Sequence, residues 1–120
     1  WAPDMKNFGN IPKDDWLWTA MIMQPEMISR ELVAEATENL KKKKDLPALK
    51  KVRFEAFEEG RVAQTLHIGP FSEEGPTIRK VHEYIEDLGF VPKGKHHEIY
   101  LSDIRRAAPE KWKTIIRQPY

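Results

Sequence analysis

The sequence predicts an α+β fold, an antiparallel sheet with helices on one face. Three observations predict it. The punctuated segments run in the order strand, helix, strand, strand, helix, strand. Ile78, Val81, Ile85 and Leu88 are spaced three, four and three apart, the single apolar stripe of a helix lying on a sheet. Segments 61–68 and 97–101 alternate side chains as half-buried strands do. Strand-helix-strand-strand modules cover one sheet face with helices and leave the other free, a face on which a ligand can lie.

Each element has its own warrant. Residues 1–15, with Pro3, Gly9 and Pro12, read as an irregular approach to the first strand. Trp16, Trp18, Ala20 and Ile22 alternate with Leu17, Thr19, Met21 and Met23, so 16–23 reads as a central strand apolar on both faces. Gln24-Pro25 ends it. Ser29 is placed to cap a helix, with Ile28 and Val33 at the spacing of a hydrophobic staple. Leu32, Val33, Ala36 and Leu40 form its apolar stripe, and Lys41 to Lys44 suit its negative end. Residues 45–50 read as a loop. Val52–Phe57 and Arg61–Ile68 read as a hairpin around Glu58-Glu59-Gly60. Val62, Gln64, Leu66 and Ile68 then share one face, and Ala63, Thr65 and His67 the other. After Gly69-Pro70, Ser72 or Gly75 caps the second helix, Pro76 sits in its first turn, and Gly89 stops it. A loop at 90–94 leads to a strand at 96–101. The tail from Ser102 reads as a short helix started by Pro109, with Trp112 and Ile116 as apolar anchors.

Composition excludes several classes of function. The 120 residues suit one domain with one core, and 40% hydrophobic with 32% charged residues mark a globular chain rather than a disordered one. Twenty basic residues against nineteen acidic ones give no overall attraction for nucleic acid, and the four successive lysines read as a solvated helix end. Without cysteine there is no disulfide, thiolate metal site or cysteine nucleophile. No apolar run approaches a bilayer span and no signal peptide is visible, so no membrane partner is expected and the cytoplasm is the default location. The chain begins at Trp1 rather than at methionine, and it reads as the later part of a longer protein.

Chemistry concentrates in the stretch Lys95 to Asp103. In the strand here, His97, Ile99 and Leu101 point one way, and Glu98 and Tyr100 point the other. A carboxylate beside a phenol is a proton-handling pair, or else the solvated face of an edge strand. Adjacent His96 and His97 point to opposite faces, and no third ligand stands at metal spacing, so no metal and no cofactor are expected. His82 beside its helix's apolar stripe reads as structural. There is no G-x-S-x-G elbow, phosphate loop or dinucleotide fingerprint. Trp16 and Trp18, on one strand face, are either core or the walls of a pocket for flat or cationic molecules around a buried carboxylate.

Several segments together resemble the GyrI-like small-molecule-binding family. They are Trp16-Leu17-Trp18-Thr19 with Met23-Gln24-Pro25, Glu59-Gly60 with Gln64 and His67-Ile68-Gly69-Pro70, His96 to Asp103, and Lys113 to Pro119. The likeness runs along nearly all 120 residues. It implies two pseudo-symmetric strand-helix-strand-strand (SHS2-type) modules, as in bacterial multidrug effector-binding domains, with a ligand cleft between helices and sheet. The histidine-histidine-glutamate stretch resembles that of cyclopropanoid hydrolases, which open the strained ring of genotoxic natural products with water. The resemblance maps the family's pocket glutamate onto Glu98 and the following tyrosine onto Tyr100. Within the matching segments, Trp16, Trp18, His67 and His97 are the candidate ligand-binding residues.

Two departures stand out. Ile104 replaces the proline usual in that subgroup, and the family's first module has no counterpart, so residues 1–120 read as the C-terminal part of the domain. Two functions follow from the resemblance. In one, Glu98 is the general acid or base of a detoxifying hydrolase, its pKa raised by burial, with Tyr100 as hydrogen-bond donor. In the other, a charged Glu98 is the counter-ion in a non-catalytic effector-binding module for hydrophobic or cationic aromatic molecules. The incomplete domain predicts a homodimer or association with the missing module, because exposed strand edges recruit partners.

Overall fold

The computed structural model describes residue 15 and residues 17–120. They fall into two compact units, one containing Glu59–Tyr120 and the other Thr19–Glu58.

The Thr19–Glu58 unit is built around helix α1 (Arg30–Lys43). Ser29 starts it as expected: its hydroxyl accepts from the Leu32 amide at 3.3 Å, satisfying an N–H that has no partner inside the helix. Lys41, Lys42 and Lys43 occupy the last turn, where the helix dipole favours positive charge. The strand expected at 52–57 does not form, and no hairpin joins it to 61–68. The apolar alternation was present there, but a strand exists only where its amides and carbonyls find a ladder, and β1 (Val62–Ile68) pairs with the C-terminal strand Lys113–Pro119 and not with this segment. The strand expected at 16–23 fails likewise over 17–23, which carry no regular structure and include Met23 at 96% exposure. Trp16 lies outside the described residues.

The Glu59–Tyr120 unit holds the sheet. Its strands are β1 (Val62–Ile68), β2 (His97–Tyr100) and β3 (Lys113–Pro119), all antiparallel and ordered β1-β3-β2. The largest correction concerns β3. The tail expected to be a helix makes only one 3₁₀ turn, Pro109–Lys111, and then becomes the central strand. Its sequence suits that place. Thr114, Ile115 and Ile116 are β-branched, and Thr114, Ile116 and Gln118 alternate inward at 0, 0 and 1% exposure. Proline 109 thus begins a turn, and the strand follows from pattern.

Helix α2 (Gly75–Asp87) packs on one face of the sheet. Val81 and Ile85 of its stripe are buried with Ala63 and Ile116, and Ile78 packs against them, whereas Leu88 is 46% exposed. Full burial of Ile85 and Ile116 stabilises the fold by roughly 2 kcal/mol each. Glu74 is the N-cap, without a side-chain cap bond, and Ser72 lies in the preceding turn, so neither expected cap residue holds that position. Gly89 does end the helix, with a left-handed φ of 79°.

The observed module β1-α2-β2-β3 is therefore strand-helix-strand-strand, and the α+β class stands. Among the described residues no helix is long and apolar enough to cross a membrane.

Candidate functional site

Register decides which residues meet. Residues directly opposite one another in an antiparallel pair project to the same face. Glu98 lies opposite Ile116 and Tyr100 opposite Thr114, and across β3 the same two residues face Thr65 and His67. Glu98 and Tyr100 are thus on the face that α2 covers. The helix-free face, expected to receive a ligand, does not carry them.

The centre of the site is the Glu98 carboxylate, with a side chain only 12% exposed. Its Oε2 accepts a hydrogen bond from the Tyr100 hydroxyl at 2.8 Å. Its Oε1 stands 3.3 Å from His96 Nε2, and the His96 side chain is 4% exposed. His96, Glu98 and Tyr100 alternate along one chain, which is why the strand period brings all three to one face. The Tyr100 phenol is pushed well above its ordinary value by burial, then by its bond to Glu98 and by the charges of Glu98 and Glu74. It keeps its proton and serves as a donor.

An aromatic wall adjoins this pair. The Phe71 ring lies 5.3 Å from Tyr100 and 4.8 Å from Trp112, centroid to centroid. Trp112 is fixed by its Nε1–H donating to the Ala107 carbonyl at 2.8 Å. The backbone brings the wall together: the Gly69 amide donates to the Trp112 carbonyl at 3.0 Å, and Phe71 follows two residues later. Gly69 has φ 137°, and a Cβ there would stand 3.3 Å from His67 Nε2. A glycine is needed for both reasons.

His67 is 6% exposed, and both ring nitrogens are engaged. Nε2 lies 3.3 Å from the Pro70 carbonyl, which can only accept, so in the neutral ring Nε2–H donates there and Nδ1 accepts a hydrogen bond from the Thr77 hydroxyl at 3.0 Å. His67 therefore ties β1 to α2 beside the site. His97 is on the opposite face, where Glu59 Oε1 lies 2.9 Å from its Nδ1. Trp18 is 62% exposed in the irregular segment, and Trp16 is not among the described residues.

Sequence reasoning missed Phe71 and Trp112 as the aromatic wall, whereas the strand alternation does place His96 on the face of Glu98. It also missed Thr114, a fully buried residue of β3 between His67 and Tyr100. The signal was the position of Phe71 and Trp112 at strand ends, legible only once β3 is known to pair with β1.

The model of the GyrI-like small molecule binding domain matches residues 16–120. The chain belongs to the GyrI-like family. No curated protein matches it. Three solved structures from Listeria innocua are similar. An uncharacterized conserved protein shares 41% identity at a TM-score of 0.83, covering 99% of this chain and 59% of that one. One hydrolase shares 42% identity at a TM-score of 0.68, covering 80% of this chain and 51% of its own. A second hydrolase shares 39% at 0.73, covering 92% and 58%. The chain thus spans 51 to 59% of the length of these structures.

Proposed function

We propose that this GyrI-like chain acts as a hydrolase that opens the strained ring of cyclopropanoid genotoxic compounds with water, a detoxifying reaction in the cytoplasm. The observation that carries the reading is a mostly buried carboxylate, Glu98, beside Tyr100 and the Phe71–Trp112 aromatic wall. Two similar structures described as hydrolases support it at the level of reaction class.

The chemistry fits the residues. Water adds to the cyclopropane methylene, the ring bond's electrons move into the conjugated carbonyl, and that oxygen gains a proton. Glu98 handles the proton of the attacking water, and Tyr100 donates a hydrogen bond. The flat ligand skeleton stacks on Phe71 and Trp112. Trp16 and Trp18 remain candidates for further ligand contacts, whereas His97 lies on the other face of the sheet against Glu59.

The test is incubation of the full-length protein with a duocarmycin-like cyclopropanoid, following the hydrated product by mass spectrometry. Glu98→Gln is expected to keep the fold and ligand binding and to lose about two orders of magnitude in rate. Turnover of the variant at the parent rate removes Glu98 from the chemistry.

The second reading is a binding module without turnover. A carboxylate among aromatic faces also suits a cationic aromatic molecule. Binding of a cationic dye, with no hydrated product from the cyclopropanoid, decides for it.

The partner reading also extends to the sheet edges. Among the described residues, the outer edges of β1 and β2 pair with no strand. Such edges recruit a strand from a preceding module or a second copy. Light scattering of the full-length protein separates the two: a monomer favours the module, a dimer the second copy.

A further inference from the structure

Glu98 is a general acid or a general base in the hydrolase reading, and the two roles need opposite resting states. An acid must hold a proton before the ligand arrives, and a base must lack one. Which state the site favours follows from what points at the carboxylate. The hydroxyl of Tyr100 donates to Oε2 at 2.8 Å. Imidazole Nε2 of His96 lies 3.3 Å from Oε1, in a side chain 4% exposed.

Every hydrogen bond donated to a carboxylate favours its charged form. With an N–H on His96 Nε2, both oxygens of Glu98 receive a donor from its own strand. The carboxylate plane is then fixed. His82 of α2 lies within electrostatic reach of His96: burial first of all keeps His82 from charging, Gln118 opposes this, His96 adds to it and Glu86 opposes it. Gln118 is itself oriented, with Nε2 donating to the Lys93 and Pro119 carbonyls at 2.8 and 3.2 Å. The charged groups around Glu98 and Tyr100 are completed by Glu74, whose negative charge reaches Tyr100.

We propose that His96 is the positioning residue of this site: its Nε2–H, with the Tyr100 hydroxyl, holds Glu98 as an anion, so that Glu98 takes a proton from water rather than giving one. The inference rests on the hydrolase reading for its chemistry, but the geometry of the His96–Glu98 pair is testable without any ligand.

Ring-nitrogen NMR of ligand-free, ¹⁵N-labelled full-length protein at neutral pH reads each histidine's tautomer. His96 is expected as the Nε2–H form in the parent and in Glu98→Gln, whose amide oxygen still accepts. In Glu98→Leu it becomes a mixture of tautomers, with the His67 signals unchanged as evidence of an intact fold. A parent His96 protonated only on Nδ1, or one indifferent to Glu98→Leu, overturns the proposal even if no substrate is ever turned over.

With a duocarmycin-like cyclopropanoid, His96→Leu lowers kcat by about tenfold with little change in KM, as expected for losing a hydrogen bond to a charged group. His96→Gln, which keeps a donor, restores most of it. The parent rate holds as pH rises above the carboxylate range. A rate that falls there, or a His96→Leu variant as fast as the parent, overturns the proposal. A parent without turnover but with the expected tautomers sinks only the hydrolase reading.

Discussion

The two faces of the sheet each present a carboxylate, and their partners differ. On the helix-free face, Glu59 receives Arg117 Nη1 at 2.7 Å and lies 2.9 Å from His97 Nδ1, while Arg117 Nε donates to Gln64 at 2.9 Å. On the α2 face, the donors described around Glu98 are a phenol and an imidazole. Burial works against charge on Glu59, but hydrogen bonds from Arg117 and then His97 outweigh it, and its carboxyl is held below the ordinary value of 4.5. A carboxylate locked to a guanidinium has its charge already matched and serves to join strands. In the function proposed above, one held by a phenol and an imidazole offers its charge to a ligand. The lesson is that similar burial, 10% exposure for Glu59 and 12% for Glu98, does not by itself assign a carboxylate its role. The partners do.

The widest separation expected between the faces is in activity. Glu98→Gln should lower hydrolysis by about a hundredfold with its urea midpoint unchanged. Glu59→Gln should leave turnover within about threefold of the parent, since it touches no reacting group. Equal loss of activity in both variants would erase the distinction.

In stability the order reverses. Arg117→Met leaves the Glu59 charge without its guanidinium and is expected to cost about 1–3 kcal/mol in urea unfolding. No loss would mean that the Glu59 network is a surface pairing of little energetic weight.

A smaller effect follows from pH. Because the folded Glu59 pKa is lowered, its stabilisation is fully present above 4.5 and fades as pH falls through the lower folded value. Urea midpoints measured against pH should therefore drop on the acid side in the parent and drop less steeply in Glu59→Gln. Identical slopes would contradict the linkage.

The smallest change is Tyr100→Phe. It keeps the ring against Phe71 and removes one donor to Glu98, so ligand affinity should weaken by a factor of about five, corresponding to about 1 kcal/mol. Equilibrium dye binding measures it.

Much of this was legible in the sequence, and the failures have a common physical cause. Local signals held. Ser29 capped its helix, Gly89 ended the second one, and the alternation around Glu98 put it on one face with Tyr100. Pairing is not local, and there the reading failed. Val52–Phe57 is close in sequence to β1 and has a turn glycine between, yet β1 pairs with β3. Pro109 and Trp112 suggested a helix because the ladder that makes 113–119 a strand lies far back in the chain. The aromatic wall was invisible for the same reason, since Phe71 and Trp112 meet only through that pairing.

The strand order also fixes a timetable. β1 and β2 each pair with β3 and not with each other, and the register sets Val62 against Pro119. Neither early strand has a ladder in this sheet until β3 arrives. Contacts so distant in sequence must pay loop-closure entropy before they gain any hydrogen bond, and such topologies fold slowly. On the ribosome, α2 can coil as soon as it emerges, but Glu98 has no sheet to sit in until the residues through Pro119 are clear of the exit tunnel. A nascent chain stalled before β3 would hold every group of the His96–Glu98–Tyr100 trio and still have no assembled sheet beneath it.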